Sequence, residues 1–475
     1  MKSVRANNIS HHPMTNVRTL VDQDRAQREY ILKPKLKAPD RQTQNSETLA
    51  QPLKESKSSL ITTFNRTVEY KPQHIYTCHS VEDVQSAVAR AAQSNMKIRV
   101  YANGYSWAPY IVSNEICLML KGLSTIGPID LKTKTIVVEA GTRVGDITKA
   151  LEAVGLCLPS LPFENGMTIG GAISTCTHGT SPAHGSLSDA VRAITVVLPS
   201  GHLKRFGPES NIHELRAARV SIGMLGVIVS VELQAVDIPW VYYTELNLNL
   251  TQFANQLDTL RIRFRHMWVL WTLGSDHVTV KGMEPALKGQ PGSQPYIAGD
   301  NAYWGKIIET NLLNNIFKFS HKKIEHFSYN AFKFLQRPKK ARVRISMQYS
   351  VPTNKLSKII SAIKQSATYS KNRGQIIEIK FLKQSDNSYL GYNSDYDAAL
   401  FNTYWNIHIN SYNHILDDFE RSMQAFGARP HWGKSHQPIS LERISDIYPN
   451  WSKFEAVRAK YDPNGIFIPD CILFE

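Results

Sequence analysis

The sequence predicts an α+β protein with two folded domains, and three observations carry that reading. Helical and strand patterns alternate between glycine turns as far as Asp237, and beyond Pro239 longer strand segments are interleaved with amphipathic helices. Between Leu158 and Asp189 lies a tract holding Gly166, Gly170, Gly171, Gly179 and Gly185 among small and hydroxylated residues. A chain of 475 residues has room for two or three domains with well-buried cores. With 42% hydrophobic and 20% charged residues its composition excludes a disordered protein.

Residues 1–60 are polar, with 11 basic and 6 acidic groups and no sustained periodicity, so they read as a flexible basic extension with order beginning near Ile61. The first domain is expected over 61–237. Val84, Ala87, Val88 and Ala91 recur at helical spacing and predict a helix from Val81 to Ser94, with Ser80 as N-cap and Asp83 at the third helical position. The strand KIRVYA follows and runs into a turn, Asn103–Trp107. Further strands are predicted at Ile116–Leu120, Thr135–Glu139, Ala193–Leu198 and Val227–Gln234, with a helix at Val144–Val154.

The second domain is expected over 238–475. Its strands are placed at His266–Thr272, Val278–Gly282, Val343–Ser350, Ile376–Phe381 and Leu400–His408. Helices at Thr251–Phe264, Lys355–Ser366 and Ser411–Phe426 would cover one face, which predicts an antiparallel sheet under helices.

Charge and cysteine usage narrow the surroundings. Net charge is +15, and residues 301–345 alone hold 10 basic and 2 acidic groups mixed with Ile, Leu and Phe. The plain reading is a solvated helical face; the functional one is peripheral contact with an anionic membrane or an acidic protein. No recognisable nucleic-acid module accompanies the segment, so nucleic acid is not expected as a partner. Five cysteines are scattered without a C-x-x-C, which fits a reducing compartment. No stretch reaches the roughly 18 apolar residues of a spanning helix, and the first residues lack the apolar core of a signal peptide. The expected location is cytoplasmic, with membrane contact only peripheral. No metal site is expected, since His11 and His12 have no second ligand cluster at a metal-site spacing.

Four clusters carry chemistry. The glycine tract suits main-chain N–H groups cradling a phosphate, although neither G-x-G-x-x-G nor G-x-x-x-x-G-K-[ST] occurs in it. The turn Asn103-Gly104-Tyr105-Ser106-Trp107 is a second such candidate. ARPHWGKSH, Ala428–His436, brings an imidazole, an indole and an ammonium together on a loop. Glu378 and Lys380, two apart on a predicted strand, must share a face. A buried carboxylate and ammonium are costly unless they pair or meet a polar ligand.

Taken together these segments resemble the aldonolactone and alditol oxidase group of oxidoreductases, whose FAD domain is of the vanillyl-alcohol-oxidase type. The resemblance runs through VEAGTRVGDI (Val138–Ile147), MTIGGAISTCTHGTS (Met167–Ser181), GMLGVIVSVEL (Gly223–Leu233), EIKF (Glu378–Phe381), RPHWGK and DPNGIF. It implies an FAD domain of two subdomains under an α+β substrate domain. It also implies oxidation of a CH–OH to C=O, with hydride passing to the flavin, on a polyol or sugar-derived lactone, and O2 or another redox acceptor as oxidant.

By the same resemblance, Asn103, Gly104, Tyr105, Ser106 and Trp107 hold the cofactor from one side. Gly170, Gly171, Ser174, Thr177, His178, Gly179 and Gly185 hold it from the other, and Val227 and Ile228 meet the adenine through their backbone. Many relatives carry at position 105 a histidine bonded covalently to the flavin. Tyrosine has no imidazole nitrogen, so FAD is expected to be non-covalent. Glu378 and Lys380 match a Glu-x-Arg substrate motif with lysine in place of arginine, and lysine lacks the bidentate fork. Thr168 matches a substrate-contacting serine, Thr403 a threonine and Lys434 the lysine of the loop, with His431 beside it as a substrate contact. Lys380 and Lys434 would stabilise an alkoxide or the reduced flavin, and Glu378 would anchor hydroxyls or assist proton removal. Pro162 falls about where related dehydrogenases carry an oxygen-blocking alanine. A dehydrogenase passing electrons to a quinone or cytochrome is the alternative within the fold. A flavin-binding protein without turnover is the alternative outside catalysis.

Overall fold

The computed structural model describes residues 55–63, 68–120, 122–296, 342–366, 375–408 and 412–472. Most of the N-terminal extension and residues 301–341 of the basic segment lie outside the described residues. Ordered structure begins earlier than predicted. Strand β1 (Glu55–Ser56) pairs antiparallel with β2 (His74–Cys78), and Glu55 Oε1 meets His74 Nδ1 at 2.7 Å. Two residues on a sheet edge leave no periodic signal to read.

Helix α1 (Val81–Gln93) forms as expected. The Ser80 hydroxyl accepts from the Asp83 amide at 3.2 Å, while Asp83 accepts from the Ser80 amide at 3.3 Å, a capping box that satisfies two donors at the helix start. The apolar stripe of α1 buries Val84, Ala87, Val88 and Ala91 on the sheet that holds β2, β3 (Ile98–Tyr101) and β4 (Ile116–Leu120). That sheet runs β1-β2-β4-β3, with β4 parallel to both its neighbours.

A second sheet of the same domain comprises β5 (Ile126–Asp130), β6 (Thr135–Glu139), β7 (Val191–Val197), β8 (Leu203–Phe206) and β9 (Val227–Gln234). Its order is β8-β7-β9-β6-β5, all antiparallel. Val197, Val227 and Val229 reach from it into the α1 core. Helices α2 (Val144–Glu152), α3 (Ile169–Ser174) and α4 (Ile212–Arg219) complete the domain. Helix α3 contains Gly170 and Gly171, so part of the predicted phosphate loop is a helical turn.

The second domain is built on an eight-stranded antiparallel sheet. Its main strands are β10 (Trp240–Asn249), β11 (His266–Thr272), β12 (His277–Ala286), β14 (Arg342–Pro352), β15 (Ile376–Leu382) and β16 (Ala398–His408). The short edges are β13 (Gln294–Pro295) and β17 (Arg429–Pro430), and the order is β13-β10-β12-β11-β15-β16-β14-β17. Strand β10 lies outside the sequence reading: Leu246 and Leu248 alternate with polar residues and pack on a core, but its first residues, Trp240–Tyr243, show no alternation.

One sheet face is apolar. Val269, Trp271, Met347, Tyr349, Ile377, Ile379, Ala399 and Phe401 pack there with residues of α5 (Leu250–Arg263), α6 (Leu356–Gln365) and α7 (Tyr412–Gln424). The opposite face carries Trp268, Leu382 and Leu400 into the core of the first domain. Alternation along each strand therefore assigns one set of side chains to the helices and the other to the domain junction.

Candidate active site

Polar residues concentrate on the junction face. On β15, Lys380 Nζ lies 3.0 Å from Glu378 Oε2, both side chains nearly buried. On β16, Asn402 sits opposite Glu378 and donates from Nδ2 to Glu378 Oε2 at 2.9 Å. Ser346 of β14 reaches Asn402 Oδ1 at 3.4 Å. Burial works to lower the Lys380 ammonium, but Glu378 and Tyr404 outweigh it and hold it above its ordinary value. The paired charges expected from the sequence are thus present and satisfied. Across from them Lys434 Nζ stands 5.5 Å from the Trp107 ring centroid and 5.4 Å from that of Tyr404, within cation–π range of both.

Thr403 does not belong to this site. It is fully buried on the helix-covered face, where its hydroxyl donates to Ile376 O at 3.2 Å and accepts from Gln375 Nε2 at 3.2 Å. Side chains alternate across a strand, so a one-residue shift in matching moves the contact to the other face. Asn402 and Tyr404 occupy the junction side instead. Pairing β15 against β16 with Glu378 opposite Asn402 is the signal that finds them, and it needs the register.

The loop at 431–434 is fastened to the predicted 103–107 turn, because the Trp107 amide donates to Gly433 O at 2.9 Å. His431 is buried, its Nδ1 accepting from the Gly433 amide at 2.9 Å, with its ring 5.4 Å from Tyr392 and 5.9 Å from His178. Through Nδ1 it braces the loop from within. The cofactor contact expected of His178 is corrected. Its Nδ1 meets Gly179 O at 2.7 Å, which requires a proton there, so Nε2 is the acceptor for the Gln348 amide at 2.5 Å. Neither ring nitrogen remains for a cofactor. Gln348 serves here as that partner.

Burial, helped by Lys380, pushes the His178 pKa down to about 3, and burial with Arg265 does the same to His266. Both are neutral in the folded protein, whereas an unfolded histidine titrates near 6.5. The stability they support is complete above pH 6.5 and is lost as pH falls toward 3, at roughly 1 kcal/mol per pH unit for each. Denaturant melts between pH 7 and about 4 should therefore show a steady acid loss that flattens when His266 is replaced by an apolar residue; a pH-independent midpoint would contradict the assignment.

The turn and the tract offer part of a cradle for a dinucleotide. Gly104 has φ +66°, a left-handed conformation that glycine adopts freely, and a Cβ there would collide with the Tyr101 hydroxyl. The amides of Gly104 and Ser106 donate to no backbone carbonyl among the described residues. Gly171 is exposed, and a Cβ there would meet only Thr168 Oγ1 at 3.5 Å. Strand β6 pairs with β9 only from Ser230 onward, so Val227 and Ile228 keep one backbone edge without a strand partner. These features fit an extended ligand with phosphates.

The rest of the tract is spent internally, which corrects the expectation of a continuous amide cradle. The Gly170 amide donates to Ala140 O at 2.9 Å, that of Thr177 to Ala172 O at 2.9 Å, and that of Gly179 to Ser160 Oγ at 3.1 Å. Ser174 donates its hydroxyl back to Gly170 O at 2.7 Å. Gly185 abuts Asp189 and Asn393 and acts in packing. Asn103 donates from Nδ2 to Gly166 O at 2.9 Å, and the Tyr105 hydroxyl lies against Gly166. Thr168 is the N-cap of α3 with its side chain making no cap bond.

The open cradle in one domain and the charged, buried array in the other suit a redox enzyme with a dinucleotide cofactor, and residues 72–207 match the FAD binding domain model, which makes the protein an FAD-dependent oxidoreductase. Residues 231–472 match the model of D-arabinono-1,4-lactone oxidase. That match covers half the chain, and the chain belongs to the D-arabinono-1,4-lactone oxidase family. L-gulonolactone oxidase of Bos taurus is 25% identical over 440 residues, spanning 85% of this chain and 95% of its own. L-gulono-1,4-lactone dehydrogenase of Mycobacterium tuberculosis is 24% identical over 423 residues, spanning 84% and 95%. A mutant cholesterol oxidase from Brevibacterium sterolicum superposes with a TM-score of 0.66 at 14% identity, over 91% of this chain and 99% of that one. At that identity it speaks for the fold alone, which is the α+β arrangement expected.

Proposed function

We propose that this chain oxidises a CH–OH group of a sugar-derived lactone, with FAD as hydride acceptor and dioxygen as the final oxidant, reduced to hydrogen peroxide. The observation that carries the reading is the buried Lys380–Glu378–Asn402 array on the junction face. Bound FAD supplies the redox chemistry, and the protein positions and polarises. Glu378, held by Lys380 and Asn402, accepts the hydrogen bond of the substrate hydroxyl and takes part in removing its proton. Lys380 stabilises negative charge as it develops on that oxygen, and Lys434 adds positive charge from the opposite loop. Thr168 lies at the entrance of α3 as a substrate contact. The names of the relatives favour a lactone over an open polyol.

The test is anaerobic mixing of the purified flavoprotein with a panel of aldonolactones and polyols while the visible flavin absorbance is followed. Bleaching by a lactone supports the reading, and FAD that none of them reduces rules it out. Both oxidases and a dehydrogenase occur among the relatives, so recovery of the colour in air, compared with a quinone or cytochrome, decides the acceptor.

We further propose that FAD is held without a covalent bond, because Tyr105 offers a phenol where such bonds use an imidazole. Acid precipitation should leave a colourless pellet and a yellow supernatant; colour retained by the pellet would refute this. A cytoplasmic location is supported by five free cysteines, four of them buried. Peripheral membrane contact through 301–345 rests on charge alone and is tested by co-sedimentation with anionic vesicles.

A further inference from the structure

A lysine at position 380 poses a mechanical problem. A guanidinium is planar and preorganised, whereas an ammonium on a four-carbon stem is a mobile point charge. Glu378 restrains Lys380 from one side only. On another side stands the ring of Phe163, with its centroid 4.6 Å from Lys380 Nζ. Phe163 is itself packed edge-on against Trp268 at 5.0 Å, and Trp268 is the cross-strand neighbour of Lys380 on β11. Phe163 is half-buried, so it borders space that a ligand can reach.

Phe163 comes from the first domain, at the head of the glycine tract, and its approach is fixed by that tract. Gly179 is pressed against Leu161, where a Cβ would stand 2.6 Å from Leu161 O, and its amide bonds the Ser160 hydroxyl at 3.1 Å. A substituted residue at 179 would push Leu161, Pro162 and Phe163 outward. Tyr404 of β16 and His178 of the tract also lie near Lys380, Asn402 shares its partner Glu378, and Lys281 lies beyond Trp268, paired with Glu245 at 3.3 Å.

We propose that Phe163 is a positioning residue for Lys380, whose ring face holds the ammonium against Glu378 and so fixes the cation that the substrate oxygen meets. The aromatic face replaces, across the domain junction, the rigidity that arginine would supply within its own side chain. This rests on the proposed role of Lys380 for its catalytic consequence, but the restraint itself is a property of the folded protein.

Two measurements on the FAD-bound protein test it. In Phe163→Leu, reductive methylation of Lys380, read by peptide mass spectrometry against the other lysines, should speed up about 3- to 30-fold, the range a cation–π contact spans. Phe163→Trp should restore the wild-type rate. Anaerobic flavin reduction by lactone should slow by a similar factor in Phe163→Leu, with FAD content and thermal midpoint unchanged. The same change made in a Lys380→Met background should add nothing, because the partner is gone. Unchanged labelling in Phe163→Leu, a Phe163→Trp variant that behaves like leucine, or equal losses in both backgrounds would overturn the inference. If Phe163→Leu fails to fold, Phe163→Met serves in its place. Labelling that follows the prediction in a protein that no lactone reduces would leave the restraint standing and remove the functional reading.

Discussion

Lys380→Met is expected to slow lactone-dependent flavin reduction about 100- to 1000-fold, the loss typical of removing one preorganised donor from a developing negative charge. Methionine keeps the stem and deletes the ammonium. Glu378 would then keep only Asn402 as the partner that orients it in a nearly buried site. The substitution therefore damages both the stabilising cation and the proton acceptor. Lys380→Arg keeps the charge and should fall by far less, about tenfold or under, because its longer fork must fit between Glu378 and Phe163. Stopped-flow reduction under anaerobic conditions reads both variants. A wild-type rate in Lys380→Met would remove the array from the chemistry.

Arg99→Met should cost the most stability, about 3–5 kcal/mol. Arg99 lies on β3, almost wholly buried, and donates to four backbone carbonyls. Its Nε reaches Tyr110 O at 2.7 Å and Nη2 reaches Ile222 O at 2.6 Å, while Nη1 bonds Phe467 O and Gly223 O. One side chain thus joins the first sheet, the turn before β9 and the C-terminal segment. Burial pulls its pKa down to about 10, which still leaves it charged at neutral pH. Removing it strands several buried carbonyls, each with its own desolvation cost. Denaturant unfolding should show a lower midpoint with an unchanged slope. A shift under about 1 kcal/mol would mean that water replaces the guanidinium.

Helices and strands with a strong local period were legible in the residues. The α1 cap, strands β4, β6, β9 and β11, and the shared face of Glu378 and Lys380 all follow from nearest-neighbour chemistry. Strand β10 was not read, because its opening Trp-Val-Tyr-Tyr run lacks the alternation that its second half shows. Nor was the fate of the glycine tract. Glycine there permits close packing of the chain on Ala140 and Leu161 as much as it permits access to a phosphate, and the two uses leave the same letters in the sequence.

The sequence by itself determined the α+β class, the flavin family and the paired charges of β15, since these depend on periodicity and on motifs of a few residues. Tertiary structure alone decided which residues of β16 face Glu378, that His178 is spent on Gly179 and Gln348 while His431 Nδ1 holds the loop, and that Phe163 from one domain caps Lys380 from the other. The physical reason is range. A side chain's local preference is set within a turn of chain, but strand register and domain contact join residues more than 200 positions apart, and one residue of slip inverts every face.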